Sequence, residues 1–590
     1  MIDSKYKGKF GKEVETLPEK TLTAISNLKS ETVNFEGKAI EVLGYYAKGD
    51  GGGGLFYWDD SSTEVDNGGT IIQATSIVNG RWKRVFSGAV NVKWFGAKGD
   101  GITDNYKIIL DALNYVIEDS RKQTLFFPSG TYNINSSGLF SSFVGNNKIG
   151  LSVEGDGRFS TVLKLVTGGV EKWFYDNPVD SRKMQFPVFS NMRFTSDNRN
   201  FGSGFKIWSN GHEQGYKFIN CEIDNLYDVL YIYGPFNGSE NRFINCRIMY
   251  ITKSVLTLNN PQAVNHELVN CEVEGMYGDI INIGSGGGGS VKLIGGSYIL
   301  RDVPEDHAIF NITGSNNIGR GNGDMLMIGV KTELRGITSK LIKCTGSYGL
   351  VWFSIKDSNM STLENGASIG RNLIELGMNK KVLMDNVMVH DLHRFKFYST
   401  TSGYALASPG HINISNSMLS TSISEKVDYD ATKYGILSIR GCRNTSNMVN
   451  GDRITYAIDM DYNWQNAGRA DIMPLKKLMV IKPANYKFPL SETTDWSAVL
   501  PANSILTSIK IYKPGGTSAT ALYQLHVGNG DKTVKYDSSE LGANGIVHKI
   551  NTADLFIEVG ENINERTVKL WADPVGGSFF IGGYAILEYI

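Results

Sequence analysis

A repeat of 25 residues constrains the fold of this chain more than any other feature of its sequence. Asn220, Asn245 and Asn270 are spaced by 25 residues within similar apolar stretches, and Gly295 takes the next position in the series. Weaker copies follow as far as "LSIRGCRN" at residues 437–444. Repeats of this length are typical of coils in which each turn of the chain stacks on the previous one. The sequence therefore predicts a parallel β-helix of about nine turns, with longer loops in the later turns.

The alternation of residues within each copy predicts which side chains face the interior, because successive side chains of a strand point to opposite faces. In the first copy it assigns Ile219, Cys221 and Ile223 to the interior. The opposite face carries an outward column whose charges alternate in sign: Glu222, Arg247, Glu272, Ser297 and Lys331. We interpret Cys221, Cys246 and Cys271 as a buried apolar stack, because cysteines on parallel strands are poorly oriented for a disulfide.

Charge and composition exclude several classes of function. The 590 residues include 60 acidic and 59 basic side chains, so the chain lacks the basic field that attracts a nucleic acid. No apolar stretch is long enough to span a membrane, and the N-terminus has no apolar signal core. The five cysteines are widely spaced, which argues against a disulfide framework or a zinc site. We therefore expect no nucleic-acid or membrane partner, no metal site and no cofactor.

A glycine-rich stretch precedes the repeats. The segment "FGAKGDG" at residues 95–101 has three glycines in seven residues, which indicates a tight turn. It lacks the Lys-Ser/Thr ending of a phosphate-binding loop. Apolar residues then recur with the spacing of one helix face: Ile109, Ala112, Leu113 and Val116. This pattern predicts a helix over residues 104–118, with Thr103 or Asp104 as its N-cap.

The order of glycine turn, capped helix and "LFFPSGTY" strand pair resembles the opening of proteins in the pectate-lyase-like superfamily. The similarity covers about residues 90–135 and departs from the family pattern at Asn105, where a second aspartate usually stands. The resemblance implies a right-handed parallel β-helix whose open N-terminal end is covered by the helix. Because this superfamily includes lyases, hydrolases and proteins without enzymatic activity, the resemblance specifies the fold rather than the chemistry.

The region before the glycine turn, from about Phe35 to Phe95, contains four consecutive glycines and the strand-like "GRWKRVF". It resembles the small β-rich neck that precedes the β-helix of bacteriophage tailspikes. The resemblance implies a tailspike, or capsular polysaccharide depolymerase, on the virion tail that acts extracellularly at the host cell surface. The implied partners are a bacterial surface polysaccharide, further copies of the chain in a homotrimer, and the phage tail or baseplate through an N-terminal anchor.

We therefore predict an all-β protein in four parts. Residues 1–34 form a polar, partly helical segment, and residues 35–90 form the small β neck. Residues 91–470 form the right-handed parallel β-helix, which carries the capping helix over 104–118 and the glycan site. Residues 471–590 show alternating strands of 5–8 residues separated by turns, which indicate an antiparallel β-sandwich that trimerises the protein or binds carbohydrate.

The resemblance to tailspikes implies binding and cleavage of a capsule or O-antigen. Hydrolysis of a glycosidic bond requires two carboxyl groups, one protonated as an acid and one ionised as a base or nucleophile. Adjacent or alternate turns of a β-helix bring carboxylates to about 5 Å or about 10 Å from each other. A polysaccharide lyase and a glycan-binding adhesin without catalytic activity are the alternatives, and analysis of the products distinguishes the three.

The richest group of ionisable residues is "YILRDVPEDHAIF", in the fourth copy of the repeat. Register places acidic residues of neighbouring turns beside it, and the resulting catalytic candidates are Glu274, Asp302, Glu305, Asp306 and Glu333. The candidates for substrate binding are Tyr277, Arg301, His307 and Arg335. Three acidic residues on later turns are rivals, as is a groove between subunits: Asp357, Glu364 and Glu375.

Overall fold

The structure is a computed structural model. It describes residues 18, 20–32, 39–118, 124–141, 148–177, 184–210, 213–284, 287–301, 306–313, 323–335, 338–345, 351–362, 371–390, 393–398 and 410–419, followed by separate strands up to residue 589. The described residues form two compact units, of which the first contains the neck and the β-helix and the second contains Ile436–Ile439 and Thr455–Ile590. The predicted all-β fold is confirmed.

The neck is a five-stranded sheet with a short helix, Ile25–Lys29. Its strands, in their order across the sheet, are Lys20–Leu22, Ala39–Val42, Gly54–Asp59, Arg81–Arg84 and Ile71–Ile72. The first pair is parallel and the others are antiparallel. Phe56 and Trp82 are fully buried in its core. The sheet includes a strand, Lys20–Leu22, that precedes the predicted boundary at residue 35.

The glycine-rich turn leads from a short 3₁₀ turn, Val92–Phe95, into the capping helix. Gly96 has φ +98° and Gly99 has φ +67°, and a Cβ atom at Gly99 would lie 3.0 Å from the Tyr132 ring. These positions therefore favour glycine strongly. The turn connects the 3₁₀ turn to the strand Asp100–Asp104, which leads directly into the helix.

The capping helix extends over Tyr106–Glu118, and the predicted apolar face is buried: Ile109, Ala112, Leu113 and Val116. The N-cap position belongs to Asn105 rather than to Thr103 or Asp104, because Asn105 O accepts the first helical hydrogen bond, from Ile109 N–H at 2.9 Å. Asp104 Oδ1 still accepts a hydrogen bond from the N–H of Tyr106 at 3.0 Å and so satisfies one free donor of the first turn. Asn105 is fully buried; its Oδ1 accepts from Lys98 N–H at 2.9 Å and its Nδ2 donates to Thr103 O at 2.6 Å. In the described part of the chain, no helix combines the length and apolar character of a membrane span.

Three sheets of parallel strands form the β-helix, and we number them in the order in which each turn of the chain visits them. The first sheet contains Val90–Asn91, Thr124–Phe127, Ser152–Gly155, Val188–Ser190, Lys217–Ile219, Arg242–Ile244, His266–Val269, Val291–Ile294, Gly323–Ile328, Val351–Lys356, Lys380–Asp385 and Gly410–Ser415. The end of strand Gly435–Asn444 pairs with strand Met418–Leu419, through Arg443 and Asn444.

The second sheet contains Asp100–Asp104, Gly130–Ile134, Thr161–Leu165, Arg193–Ser196, Glu222–Asp224, Arg247–Met249, Glu272–Met276, Ser297–Leu300, Lys331–Leu334, Asn359–Thr362, Met388–Val389 and Met418–Leu419. The third sheet contains Lys172–Asn177, Gly202–Asn210, Asp228–Phe236, Ser254–Asn259, Asp279–Ile283, Ala308–Ile312, Lys340–Cys344, Arg371–Leu376, His393–Phe397 and Val427–Asp428. Two short strands, Lys148–Ile149 and Met184–Gln185, pair with each other outside these three sheets. The strand Ile454–Asp459 lies at the boundary with the second unit.

The predicted asparagine repeat stacks turn upon turn at the bend between the first and second sheets. Asn220, Asn245 and Asn270 all have left-handed backbone conformations, with φ between +51° and +53°. Each N–H donates to a carbonyl oxygen one turn further along, at 2.8–2.9 Å. Asparagine tolerates this conformation better than most residues because its short amide side chain can hydrogen-bond locally. The 25-residue spacing is therefore the spacing of one turn.

The assignment of interior residues from simple alternation is wrong before this bend and right after it. Ile219, Ile244 and Val269 are only partly buried, whereas the preceding residues fill the interior: Phe218, Phe243 and Leu268. The left-handed asparagine interrupts the alternation, so that it restarts with the cysteines. Cys221 and Ile223 are buried as predicted, and the thiols of Cys221, Cys246 and Cys271 are free and stacked in the interior.

The second unit contains two four-stranded antiparallel sheets. The first consists of Lys477–Val480, Tyr584–Tyr589, Leu506–Tyr512 and Val547–Asn551, in this order across the sheet. The second consists of Asp495–Leu500, Arg566–Pro574, Ala521–Val527 and Thr533–Lys535. The short alternating strands of this region therefore form antiparallel sheets, in agreement with the predicted class.

Candidate active site

The outward column of the second sheet is a ladder of ion pairs. Register aligns Glu222 with Arg247, Arg247 with Glu272, Glu272 with Ser297 and Ser297 with Lys331, as predicted. Arg193, one turn earlier, binds both oxygens of Asp224 at 2.6 and 2.8 Å. We call this set the charge ladder: Arg193, Glu222, Asp224, Arg247, Glu272 and Glu274. Each of its four carboxylates lies within 3.6 Å of one of its two arginines.

Two of the predicted catalytic carboxylates are engaged in such pairs. Arg247 Nη2 lies 2.6 Å from Glu274 Oε1, and Arg335 Nε lies 2.6 Å from Glu333 Oε1. Ile299 aligns with Glu333 as predicted, but the register between the strands of Glu274 and Ile299 shifts, because Gly275 takes a left-handed conformation. Glu274 and Glu333 therefore lie on the same outer face without sharing one straight column.

The loop that follows Arg301 is described only in part. Asp302 and Glu305 lie outside the described residues. Asp306 forms ion pairs with Lys340 and with Lys343, the latter at 2.6 Å. Burial opposes ionisation of Asp306, but the hydrogen bonds from these two ammonium groups hold its pKa below the ordinary value. Asp306 is therefore an ionised carboxylate held between two cations.

The predicted binding residues meet at the edge where the second sheet passes into the third. Arg301 Nη1 donates to the Tyr277 hydroxyl at 2.6 Å, and the Arg301 guanidinium lies 4.8 Å from the centre of the Tyr277 ring. The backbone N–H of Arg335 donates to Leu300 O, which places Arg335 one turn beyond Arg301. His307 is only 2% exposed, and its Nε2 lies 3.0 Å from Arg301 O, so in this conformation it supports the loop backbone.

The structure adds a residue that the sequence reasoning missed. Asp279 begins the third-sheet strand that follows Tyr277 and is 7% exposed. Its two carboxyl oxygens accept hydrogen bonds from Ala308 N–H and from Asn311 Nδ2, each at 2.8 Å. Burial raises the pKa of Asp279 to about 6, because desolvation outweighs these hydrogen bonds and the nearby charges of His307 and Lys343.

Asp279 differs from the other carboxyls whose pKa burial raises. Asp176 lies 3.6 Å from the Lys206 ammonium, and Glu222 lies 3.6 Å from the Arg193 guanidinium. Among the described residues, no cation lies within ion-pair distance of Asp279. A polar residue that precedes an apolar run at nearly the repeat spacing, as Asp228, Ser254 and Asp279 do, is the sequence signal that could have identified this position.

Asp279 and Asp306, which we call the acid pair, have opposite ionisation tendencies in one neighbourhood. Lys343 bonds Asp306 and also acts electrostatically on Asp279, and His307, next to Asp306, does the same. One carboxyl is therefore biased toward its protonated form and the other toward its ionised form. Carboxyls whose environments drive their pKa values apart can divide the roles of acid and base.

The rival carboxylates on later turns are less favourable. Glu375 is 5% exposed and is bonded by Asn372 Nδ2 at 3.1 Å and by the Tyr398 hydroxyl at 3.2 Å. Asp357 accepts a hydrogen bond from Asn386 Nδ2 at 2.7 Å. Glu364 lies outside the described residues. The acid pair is thus the described arrangement that best matches the needs of acid and base chemistry.

Two family models match the chain in succession. Residues 21–87 match the phage tail protein small four-stranded beta-sheet domain. Residues 89–291 match the rhamnogalacturonase A/epimerase, pectate lyase-like family. The boundary between the two matches coincides with the passage from the neck into the first strand of the β-helix. The acid of the pair, Asp279, lies within the second match.

Among curated proteins, alginate lyase 7 of Azotobacter vinelandii is 39% identical over 85 residues, which are 14% of this chain and 10% of that protein. The chain therefore spans about a tenth of the length of the curated relative that it matches.

Among solved structures, the chain is similar to three phage proteins. The enzymatically active domain of bacteriophage CBA120 tailspike protein 4 is 12% identical, with 99% of this chain and 79% of that chain covered and a TM-score of 0.48. The tailspike of Acinetobacter baumannii bacteriophage Fri1, a capsular polysaccharide depolymerase, is 13% identical, with 96% and 98% covered and a TM-score of 0.46. The tailspike of Acinetobacter phage vb_AbaP_AS12 is 12% identical, with 92% and 96% covered and a TM-score of 0.49.

The neck match bears out the expectation of a phage tail protein, and the second match bears out the pectate-lyase-like β-helix. Their order along the chain is the order that the sequence analysis inferred. The chain thus matches a phage tail β-sheet domain over residues 21–87 and a pectate-lyase-like family over residues 89–291, in the order of its neck and its β-helix.

Proposed function

We propose that the chain binds a bacterial surface polysaccharide, a capsule or an O-antigen, and depolymerises it by hydrolysis of glycosidic bonds. The observation that carries this proposal is the acid pair at the start of the third-sheet strands. Asp279 supplies a carboxyl with a raised pKa, and Asp306 supplies one with a lowered pKa. Hydrolysis of a glycosidic bond needs one carboxyl in each state.

In this mechanism Asp279 donates its proton to the glycosidic oxygen as the bond between that oxygen and the anomeric carbon breaks. Asp306 acts on the other side of the sugar, either as a base that takes a proton from the attacking water or as the nucleophile. The products are a new reducing end and a free hydroxyl. Asp302 and Glu305 belong to the loop of Asp306 and are candidates to replace it in that role, while Glu274 and Glu333 line the adjoining face.

The match to a phage tail domain supports attachment to the virion tail through the N-terminal region, with action at the host cell surface. Assembly into a homotrimer is part of the same proposal. The three phage structures that are similar to this chain share its fold alone.

The test is product analysis on a panel of purified bacterial capsules and O-antigens. New reducing ends without the ultraviolet absorbance of an unsaturated uronate support hydrolysis. Reducing ends that appear together with this absorbance indicate that the bond is cleaved by elimination and not by hydrolysis. Tight binding without any product identifies an adhesin and refutes the enzymatic proposal.

Elimination is the second candidate, and the contact between Arg301 and Tyr277 favours it. A lyase needs a cation that neutralises the carboxylate of a uronic acid and a base that removes the adjacent proton. Arg301 Nη1 lies 2.6 Å from the Tyr277 hydroxyl, so that a cation and a phenolic oxygen stand together. Replacement of Tyr277 by Phe separates the candidates, because it removes the base of a lyase and leaves the acid pair of a hydrolase intact.

A further inference from the structure

Two guanidinium groups converge on one tyrosine at the edge between the second and third sheets. The Arg199 guanidinium lies 3.7 Å from the centre of the Tyr277 ring, and the Arg301 guanidinium lies 4.8 Å from the same point. We call these three residues the arginine edge. Arg199 reaches Tyr277 from an earlier turn, because its loop folds along the edge, where Arg199 O accepts a hydrogen bond from Thr252 Oγ1 at 3.4 Å.

The arginines of the arginine edge differ from other arginines on the outer wall in their partners. Arg193, Arg242, Arg247 and Arg335 each form an ion pair with a carboxylate of the protein. Among the described residues, neither Arg199 nor Arg301 has a carboxylate within ion-pair distance. In the described part of the chain, the two guanidinium groups of the arginine edge therefore have no carboxylate partner, and an anionic group of a ligand can pair with them.

We propose that the arginine edge is a subsite for a carboxylate-bearing sugar, so that the polysaccharide bound at this site is acidic. This inference rests on the proposed function and specifies its substrate class. Guanidinium groups bind carboxylates through paired, charge-assisted hydrogen bonds, which a neutral sugar does not offer. The Tyr277 ring stacks with the guanidinium groups and holds them in place.

The position of the arginine edge connects it to the acid pair. Asp279 follows Tyr277 by two residues, and the His307 ring, beside Asp306, contacts Arg301 O at 3.0 Å. A sugar acid held by Arg301 therefore lies next to the residues that we assign to catalysis. The subsite orients an acidic residue of the polymer so that a defined glycosidic bond of the repeating unit meets Asp279.

The direct test measures binding of free sugar acids to the full chain by saturation-transfer nuclear magnetic resonance and by calorimetry. The probes are sodium glucuronate, galacturonate and mannuronate, with glucose, galactose and mannose as neutral counterparts. We expect at least one acid to bind with at least tenfold higher affinity than its neutral counterpart. The variants R199Q and R301Q each weaken this binding by about 10- to 100-fold, the loss that accompanies removal of charged hydrogen bonds.

The matched control is R242Q on the first sheet, which removes an arginine that is already paired with Glu267. It is expected to bind the sugar acid as the wild type does. R301K, which keeps the charge but not the paired donors, is expected to lie between the wild type and R301Q. Equal binding of acids and neutral sugars, an equal loss in R242Q, or no binding of any acid would overturn the proposal. Tighter binding of glucose 6-phosphate or glucose 6-sulfate than of every uronate would overturn the assignment of the anion as a carboxylate.

A second arm separates this inference from the proposed function. Capsules that the wild type depolymerises are treated with carbodiimide and borohydride, which convert carboxylates to alcohols. Cleavage is expected to fall at least tenfold after reduction. Unchanged cleavage of a reduced or naturally neutral capsule would refute the subsite and leave the depolymerase proposal standing. Binding of a uronate that depends on Arg301, without cleavage of any capsule, would refute the depolymerase and leave the subsite standing.

Discussion

Two regions of the β-helix use arginines and carboxylates in opposite ways. One is the charge ladder of the second sheet. The other is the passage from the second to the third sheet, which bears the arginine edge and the acid pair. In the ladder, Arg247 is bound by Glu272 at 3.3 Å and by Glu274 at 2.6 Å. At the edge, Arg199 and Arg301 share a tyrosine instead, and the buried Asp279 has no cation within ion-pair distance among the described residues. Side chains that form ion pairs with each other stabilise the surface, whereas ionisable side chains without such partners are available to bind a ligand.

The largest expected effect that tests this comparison is that of D279N. Removing a general acid lowers the rate by about 10²- to 10⁴-fold, because the leaving oxygen no longer receives a proton. The measurement is the rate of reducing-end formation on the capsule that the wild type cleaves. E272Q on the charge ladder serves as control and keeps the wild-type rate. Retention of more than a third of the activity by D279N would exclude it as the acid.

The next effect concerns the ionised partner. D306N is expected to lower the turnover rate by about 10²-fold or more, since an amide cannot act as base or nucleophile. E274Q and E333Q, which change carboxylates paired with arginines, are expected to stay within about threefold of the wild type. A loss of turnover in E274Q or E333Q as large as that in D306N would assign the chemistry to the second-sheet carboxylates and not to the acid pair.

The pH dependence of turnover tests the role of Asp279. With a pKa of about 6 for Asp279, we expect turnover to fall tenfold per pH unit above about 6, as the acid loses its proton. A pH–rate profile of the wild type checks this. A profile that stays flat up to pH 8 would contradict the role of Asp279.

The carboxyl group of Asp279 also makes the free energy of unfolding depend on pH. Its pKa in the folded chain, about 6, is above its ordinary value of 3.8, so between these values the folded chain binds more protons than the unfolded chain. Stability from this group is present below about pH 4 and is lost as the pH rises through 6, by at most about 3 kcal/mol. Denaturation of the wild type and of D279N at pH 4 and pH 7 shows whether the difference depends on Asp279.

The smallest expected effect is that of R247Q in the charge ladder. Exposed ion pairs contribute about 0–1 kcal/mol, so we expect a shift of the melting temperature below about 2 °C and unchanged turnover. Scanning calorimetry and the reducing-end assay provide both readouts. A large loss of activity with an unchanged melting temperature would show that the ladder contacts the substrate.

The sequence predicts those features of this molecule that are local or strictly periodic. The helix face of Ile109 and Ala112 and the stacking of Asn220 on Asn245 depend on such patterns, and both are confirmed. The N-cap lies at Asn105, one residue after the predicted Asp104. The interior assignment of Ile219 is wrong because a left-handed residue shifts the alternation, and periodicity alone does not reveal that shift.

The candidate site was predictable only in part. "YILRDVPEDHAIF" directs attention to Arg301 and Asp306, because charged residues are concentrated there. Asp279 was missed because its raised pKa comes from burial. Burial depends on tertiary packing and not on the residues adjacent in sequence. Arg199 was missed because it precedes Tyr277 by more than three copies of the repeat, and the two meet only because the loop of Arg199 folds along the wall.

The hydrogen bonds of the asparagine bend always run from one turn to the next, and this has a consequence for how such a protein diversifies. A coil whose units contact only their immediate neighbours can gain, lose or exchange a whole unit while the remaining units keep their alignment. The loops between strands travel with the unit that bears them. Genetic exchange of a single 25-residue module can therefore replace the loops of one turn, and with them the proposed glycan specificity, while the rest of the coil is retained.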